Sequence, residues 1–165
     1  MSSPTSIAER LPPSVRRELE AHLRQSPQRA AAISDVLRLL QEALGYIDDE
    51  ALHYAADCTG LTPVQVEELC SFYPLVLRRP AGRHLLRICD SVACHLAGAP
   101  ELVRRAEAIS GVRLGQVAGA GHYSILPHVC LGLCDRAPAV LVDGRAVGGF
   151  SPTALEQLLA EWEQG

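Results

Sequence analysis

A chain of 165 residues is long enough for one ordinary domain, or for a small domain with a helical appendage, and needs no staple merely to fold. With 48% hydrophobic and 21% charged residues it sits far from the composition of disordered chains. The net charge of −4 and pI near 5.8 supply no concentrated basic face, which argues against a nucleic-acid partner, and all fifteen basic residues are arginine, which excludes Schiff-base and P-loop lysine chemistry.

Met1 to Leu11 contains no apolar core of a signal peptide, and no apolar run approaches the roughly 18 residues of a membrane span. The expectation is a cytoplasmic protein with no direct membrane insertion. In a reducing compartment thiols stay free, so the six cysteines point to metal binding or catalysis rather than to structural disulfides.

In chain order, Ile7, Leu11, Val15, Leu19 and Leu23 recur every fourth residue and predict one amphipathic helix ending near Gln25, with Pro12 and Pro13 in its tolerant early turn. Ser26-Pro27 reads as a cap for a second helix that carries Ile33, Val36, Leu37, Leu40 and Leu44 and stops at Gly45. Asp48 or Asp49 caps a third, broken at Thr59-Gly60. Thr62-Pro63-Val64-Gln65 is a capping box that opens a fourth through Val66, Leu69 and Cys70.

The turn-rich run Arg78-Arg79-Pro80-Ala81-Gly82 marks a change of composition. Beyond it a short apolar strand, Leu85 to Ile88, leads to a helix with Pro100 at its first position, Leu102, Val103, Ala106 and Ile109 on one face, and Gly111 as its stop. His122 to Val129 alternates like a strand. Ala139 to Val142, Asp143-Gly144 and Arg145 to Val147 form a hairpin signature, and Ser151-Pro152 caps a last helix through Leu155, Leu158, Leu159 and Trp162. The fold class is α+β, with helices over 1–80 and a β-α-β-β-β-α second domain over 81–165.

The residues that carry chemistry are Cys89-x4-Cys94 and Cys130-x3-Cys134, each pair in a short loop at the end of a predicted strand. Soft thiolates in tetrahedral sets suit iron, and two irons bridged by sulfides take two thiolates each, so the count and the pairing meet the needs of a 2Fe-2S cluster. Gly98 and Gly132 would let backbone bend close to it. The same four thiols could instead hold a structural zinc ion. No C-x-x-C occurs, which disfavours a thioredoxin-type dithiol enzyme. Cys58 and Cys70 read as core packers on helices, while His95 and His128 flank the cysteine loops and could tune a cluster. There is no G-x-G-x-x-G after a strand, no P-loop, no H-E-x-x-H and no G-x-S-x-G, so the chain carries no nucleotide site and no catalytic residue of its own.

These motifs, together with Ser71-Phe72-Tyr73 and Pro80-Ala81-Gly82-Arg83-His84, with Cys89-Asp90-Ser91-Val92-Ala93-Cys94-His95, and with the run from Cys130 to Pro138, resemble the 24-kDa-type family of NADH:quinone oxidoreductase, respiratory complex I. The resemblance runs from about Pro27 to Glu161. It implies a helical bundle followed by a thioredoxin-like α/β domain with Cys89, Cys94, Cys130 and Cys134 as ligands of one 2Fe-2S cluster. It also implies a flavoprotein partner that holds FMN and NADH, further iron-sulfur subunits, and a peripheral place on the cytoplasmic side of the membrane. Single electrons would pass between the cluster and the partner's flavin, with no turnover by the isolated chain. The same module occurs in NAD-dependent formate dehydrogenases and NAD-reducing hydrogenases, which are the alternative parents.

Overall fold

The computed structural model describes residues 7–118 and 121–164; Met1 to Ser6, the start of the stretch read above for a leader, lie outside them. Two compact units divide the chain at Pro80 and Ala81.

The first unit holds α1 (Ile7–Arg10), α2 (Pro13–Gln25), a 3-10 turn (Arg29–Ala32), α3 (Ile33–Leu44), α4 (Asp49–Thr59) and α5 (Pro63–Phe72). The single opening helix expected from the four-residue repeat is in fact two. Each proline disfavours the helical region for the residue before it and brings no N–H, so the chain turns extended at Pro12 (φ −56°, ψ 144°) and restarts with Pro13. The second expected helix also begins later than its serine suggests. The Ser26 hydroxyl donates to the His22 carbonyl at 3.0 Å, closing α2 rather than opening α3, and the chain enters α3 through the 3-10 turn.

Other helix ends follow the sequence closely. Asp48 accepts from the Ala51 N–H at 2.7 Å and caps α4, which stops at Gly60 in the left-handed region (φ 76°). Thr62 and Gln65 cap α5 reciprocally, with Gln65 N–H donating to Thr62 Oγ1 at 3.3 Å and Thr62 N–H to Gln65 Oε1 at 2.9 Å. Thr62→Ala is expected to cost about 1 kcal/mol in urea unfolding. An unchanged midpoint would show that the box does not hold this helix.

Leu19, Val36, Leu40, Ile47, Ala51, Ala55, Val66 and Cys70 fill the core of the helical unit. The segment after α5 is tied back by the Arg78 guanidinium, which donates to the Asp49 and Glu67 carboxylates and to the Ile47 carbonyl, and by the Gln41 amide, which pairs with Leu75 and Leu77.

The second unit is a five-stranded sheet in the order β2-β3-β1-β4-β5. Its elements are β1 (His84–Cys89), α6 (Val92–Leu96), α7 (Ala99–Ser110), β2 (Val117–Ala118), β3 (Tyr123–His128), a 3-10 turn (Cys134–Arg136), β4 (Ala139–Val142), β5 (Arg145–Gly148) and α8 (Pro152–Gln164). α6 and β2, at five and two residues, are too short to show a periodicity. Pro100 occupies the second helical position rather than the first, because α7 starts at Ala99 behind Gly98.

β1 and β3 are parallel, and β4 continues the sheet antiparallel to β1. The hairpin turn is built as its dipeptide demands, with Asp143 at φ 45° and Gly144 at φ 81°. Leu86, Ile88, Tyr123, Ile125 and Val140 of the sheet share one core with Leu102 and Ala106 of α7 and with Leu155, Leu159 and Trp162 of α8. Cys89 and Cys94 belong to that same core. Among the described residues no helix is long and apolar enough to cross a membrane.

Candidate cluster-binding site

The parallel register decides where the chemistry gathers. Cys89 ends β1 opposite His128, which ends β3. Both loops that leave these strands therefore start at the same edge of the sheet, the carboxyl edge where open α/β sheets form their crevices. Cys89 and Cys94 come from the first loop and the start of α6; Cys130 and Cys134 come from the loop after β3. The four cysteines singled out from spacing are thus brought to one place, whereas Cys58 and Cys70 remain on α4 and α5 of the helical unit.

The two pairs sit in different surroundings. Cys89 and Cys94 are each 1% exposed, while Cys130 and Cys134 lie on the surface. Cys130 Sγ and Cys134 Sγ are 3.5 Å apart. Ser91 occupies the cap position of α6, yet its hydroxyl caps nothing and lies 3.2 Å from Cys89 Sγ.

Hydrogen-bond donors surround the sulfurs. Burial acts to raise the Cys89 thiol, but the Ser91 hydroxyl and amide, the Leu131 amide and Cys94 outweigh it and hold it below the ordinary thiol range. The Leu131 contact ties the second loop to the first pair. Cys130 is lowered mainly by the Gly132 N–H, which donates to its sulfur at 3.4 Å, and then by Cys134 and Ser91. Cys94 is raised by burial against an opposing bond from the Ala139 amide, and Cys134 is raised chiefly by Cys130. Within each pair, one sulfur is favoured as thiolate at the expense of its neighbour.

Four thiols, two backbone loops with amides aimed at sulfur, and a serine hydroxyl reaching both pairs fit a thiolate-bound cluster.

Sequence reasoning passed over several residues that shape the site. Ser91 stands inside the first motif but carries no periodic or metal-ligand signal. Gly148, at the end of β5, lies so close to the Cys134–Arg136 turn that a Cβ there would stand 2.7 Å from Arg136 Cβ and 2.9 Å from its carbonyl oxygen. Gly149 N–H donates to the same carbonyl at 2.5 Å. The Gly-Gly pair, which reads only as a loop signal in sequence, seats the outer cysteine turn on the hairpin. Of the two flanking histidines, His95 is exposed, whereas His128 is buried with Nδ1 2.7 Å from the Val129 carbonyl and Nε2 unpartnered among the described residues.

Comparison with known proteins bears on this geometry. The family model described as thioredoxin-like [2Fe-2S] ferredoxin matches residues 19–163. The E subunit of the NADH-quinone oxidoreductase of Pseudomonas aeruginosa is 35% identical over 86% of this chain and 84% of its own length. Its counterpart in Escherichia coli K12 is 35% identical over 88% and 87%, and that in Aquifex aeolicus 31% over 92% and 94%. Among solved structures, an NAD+-reducing [NiFe]-hydrogenase in the H2-reduced state superimposes with a TM-score of 0.66 at 26% identity over 78% of this chain; the match spans 22% of the hydrogenase chain.

Proposed function

Because the chain belongs to the thioredoxin-like [2Fe-2S] ferredoxin family, we propose that Cys89, Cys94, Cys130 and Cys134 hold one 2Fe-2S cluster and that the protein is the electron-carrier subunit of an NADH:quinone oxidoreductase. The observation that carries the reading is the meeting of two thiol pairs, one buried and one exposed, at the carboxyl ends of two parallel strands. The bound cluster supplies one-electron transfer. Cys89 and Cys94 anchor it to the sheet core and keep water from that side, and the Cys130–Cys134 side faces outward, where a partner's redox centre can approach.

The Ser91 hydroxyl and the Leu131, Gly132 and Ala139 amides place positive dipoles toward the sulfurs, which favours the more negative, reduced state. Removing one donor should therefore lower the potential. Ser91→Ala is expected to shift the midpoint down by roughly 40 mV, the one-electron equivalent of about 1 kcal/mol. An EPR-monitored redox titration measures it, and a midpoint unchanged within about 10 mV would remove Ser91 from that role.

The partner in this reading is the flavoprotein that carries FMN and accepts hydride from NADH, because a centre that passes single electrons needs a flavin to split the hydride's pair. Further iron-sulfur subunits complete the assembly, which would sit peripherally on the cytoplasmic side of the membrane. The higher identity to the quinone-oxidoreductase relatives, 35% against 26% for the hydrogenase, favours this parent over an NAD-reducing hydrogenase.

Anaerobic purification followed by iron, sulfide and zinc assays tests the reading. Two irons and two sulfides per chain, with a spin-half EPR signal only after dithionite, are expected. Zinc without iron in protein isolated from its native host would overturn it.

A further inference from the structure

Cys130 and Cys134 differ from the other two thiols of the site in access. Cys89 and Cys94 lie in the hydrophobic core, each 1% exposed, where a thiol reagent cannot reach them. Cys130 and Cys134 are exposed, and their sulfurs already stand 3.5 Å apart in a short surface loop. Gly132, between them, is at φ 75° and a Cβ there would meet open space, whereas Leu131 and Leu133 on either side pack against the core, so the freedom to bend lies at the glycine. Closing to a disulfide needs a sulfur separation of about 2.05 Å, a change within reach of side-chain rotation in such a loop.

We propose that, in the chain without its cluster, Cys130 and Cys134 form a reversible disulfide on exposure to a low-molecular-weight disulfide, and that this bond closes the site to cluster loading until it is reduced. The inference rests on the four-thiol assignment above. One thiolate of the pair attacks a sulfur of glutathione disulfide, forming a protein–glutathione mixed disulfide and releasing one glutathione thiolate. The second thiolate attacks the protein sulfur of that mixed disulfide and releases the other glutathione. Two protein thiols are oxidised, one glutathione disulfide is reduced to two thiols, and the two protein protons pass to the released thiolates. The core pair stays reduced. With two of four ligands withdrawn, iron has no complete set to enter, and the exposed sulfurs are spared irreversible oxidation beyond the sulfenic stage.

The test uses the full apo chain, treated with glutathione disulfide, alkylated and mapped by mass spectrometry. A Cys130–Cys134 link is expected, with free thiols falling from the six of the sequence to four and no retained glutathione. Cys130→Ser and Cys134→Ser should each stop at a single glutathione adduct, and because both positions are exposed neither change threatens the fold. The oxidised chain should take up neither iron nor sulfide until treated with dithiothreitol, and the cluster-loaded chain should form no link. A Cys89–Cys94 or cross-pair link, stable adducts on the unmodified chain, or loading of the oxidised chain would overturn the proposal. If the freshly reduced chain itself loads no cluster, the ligand assignment fails and the loading block with it, whereas the mapped link still reports on the pair.

Discussion

Replacing Cys134 by serine should leave a folded chain that retains no stable 2Fe-2S cluster, with loss of visible colour and of the dithionite-induced EPR signal. A serine hydroxyl is a hard donor that is poorly ionised at neutral pH, so it does not replace a soft thiolate on iron. Cys134 is the informative ligand to remove because it is exposed, and its loss is separable from any loss of core packing. Cys89→Ser should give the same spectroscopic result with an added fold cost of about 1–2 kcal/mol, since it puts a hydroxyl into the core. Cys58→Ser, on α4 of the helical unit, serves as the control and should keep full iron content. A Cys134→Ser chain that retained iron and signal, or a Cys58→Ser chain that lost them, would break the ligand assignment.

The second large effect is expected at Gly82. A Cβ at this position would lie 2.4 Å from the Tyr123 Cα and carbonyl carbon and 2.5 Å from its nitrogen. These are backbone atoms at the start of β3, so no side chain can swing aside. The Gly82 N–H donates to Ser124 Oγ at 3.0 Å, and the next two amides continue the contact, Arg83 to the Gly121 carbonyl and His84 to the His122 carbonyl. Gly82→Ala must therefore push β1 and β3 apart at the point where their parallel pairing begins. A cost of about 3 kcal/mol or more is expected in urea or thermal unfolding. Gly98→Ala is the comparison, since Gly98 has open space and only its positive φ (102°) to oppose a side chain, at roughly 1 kcal/mol. If the two variants lost stability equally, the close approach at Gly82 would not be what holds the strands.

Both effects trace to the β1–β3 pairing, which also explains which parts of the protein were legible in advance. Thr62 with Gln65, Asp48 before α4, and Gly45 and Gly60 at helix ends act through bonds to residues a few positions away, and Asp143-Gly144 turns the hairpin through its own positive φ angles. Local chemistry of that kind is written in the order of residues. It failed where two local signals competed. Ser26 could cap forward or bond backward, and the hydroxyl went to the His22 carbonyl; the apolar repeat through Leu11 argued for one helix, and the consecutive prolines broke it.

By itself the sequence determined the residue types and their pairing: four cysteines in two short loops at strand ends, no lysine and no nucleotide motif, a set whose count suits a 2Fe-2S cluster and equally a zinc ion. Only the tertiary structure decided that β1 and β3 run parallel and side by side, which sets both loops at one sheet edge, and that one pair is buried while the other faces out. It also decided that Ser91 and the Leu131 amide reach sulfur and that Gly148 carries the outer turn. The physical reason is that a residue's spacing along the chain constrains its neighbours within a turn or a strand. Burial, strand partners and donors from distant loops depend instead on how apolar faces far apart in sequence come together, and no short window of residues contains that information.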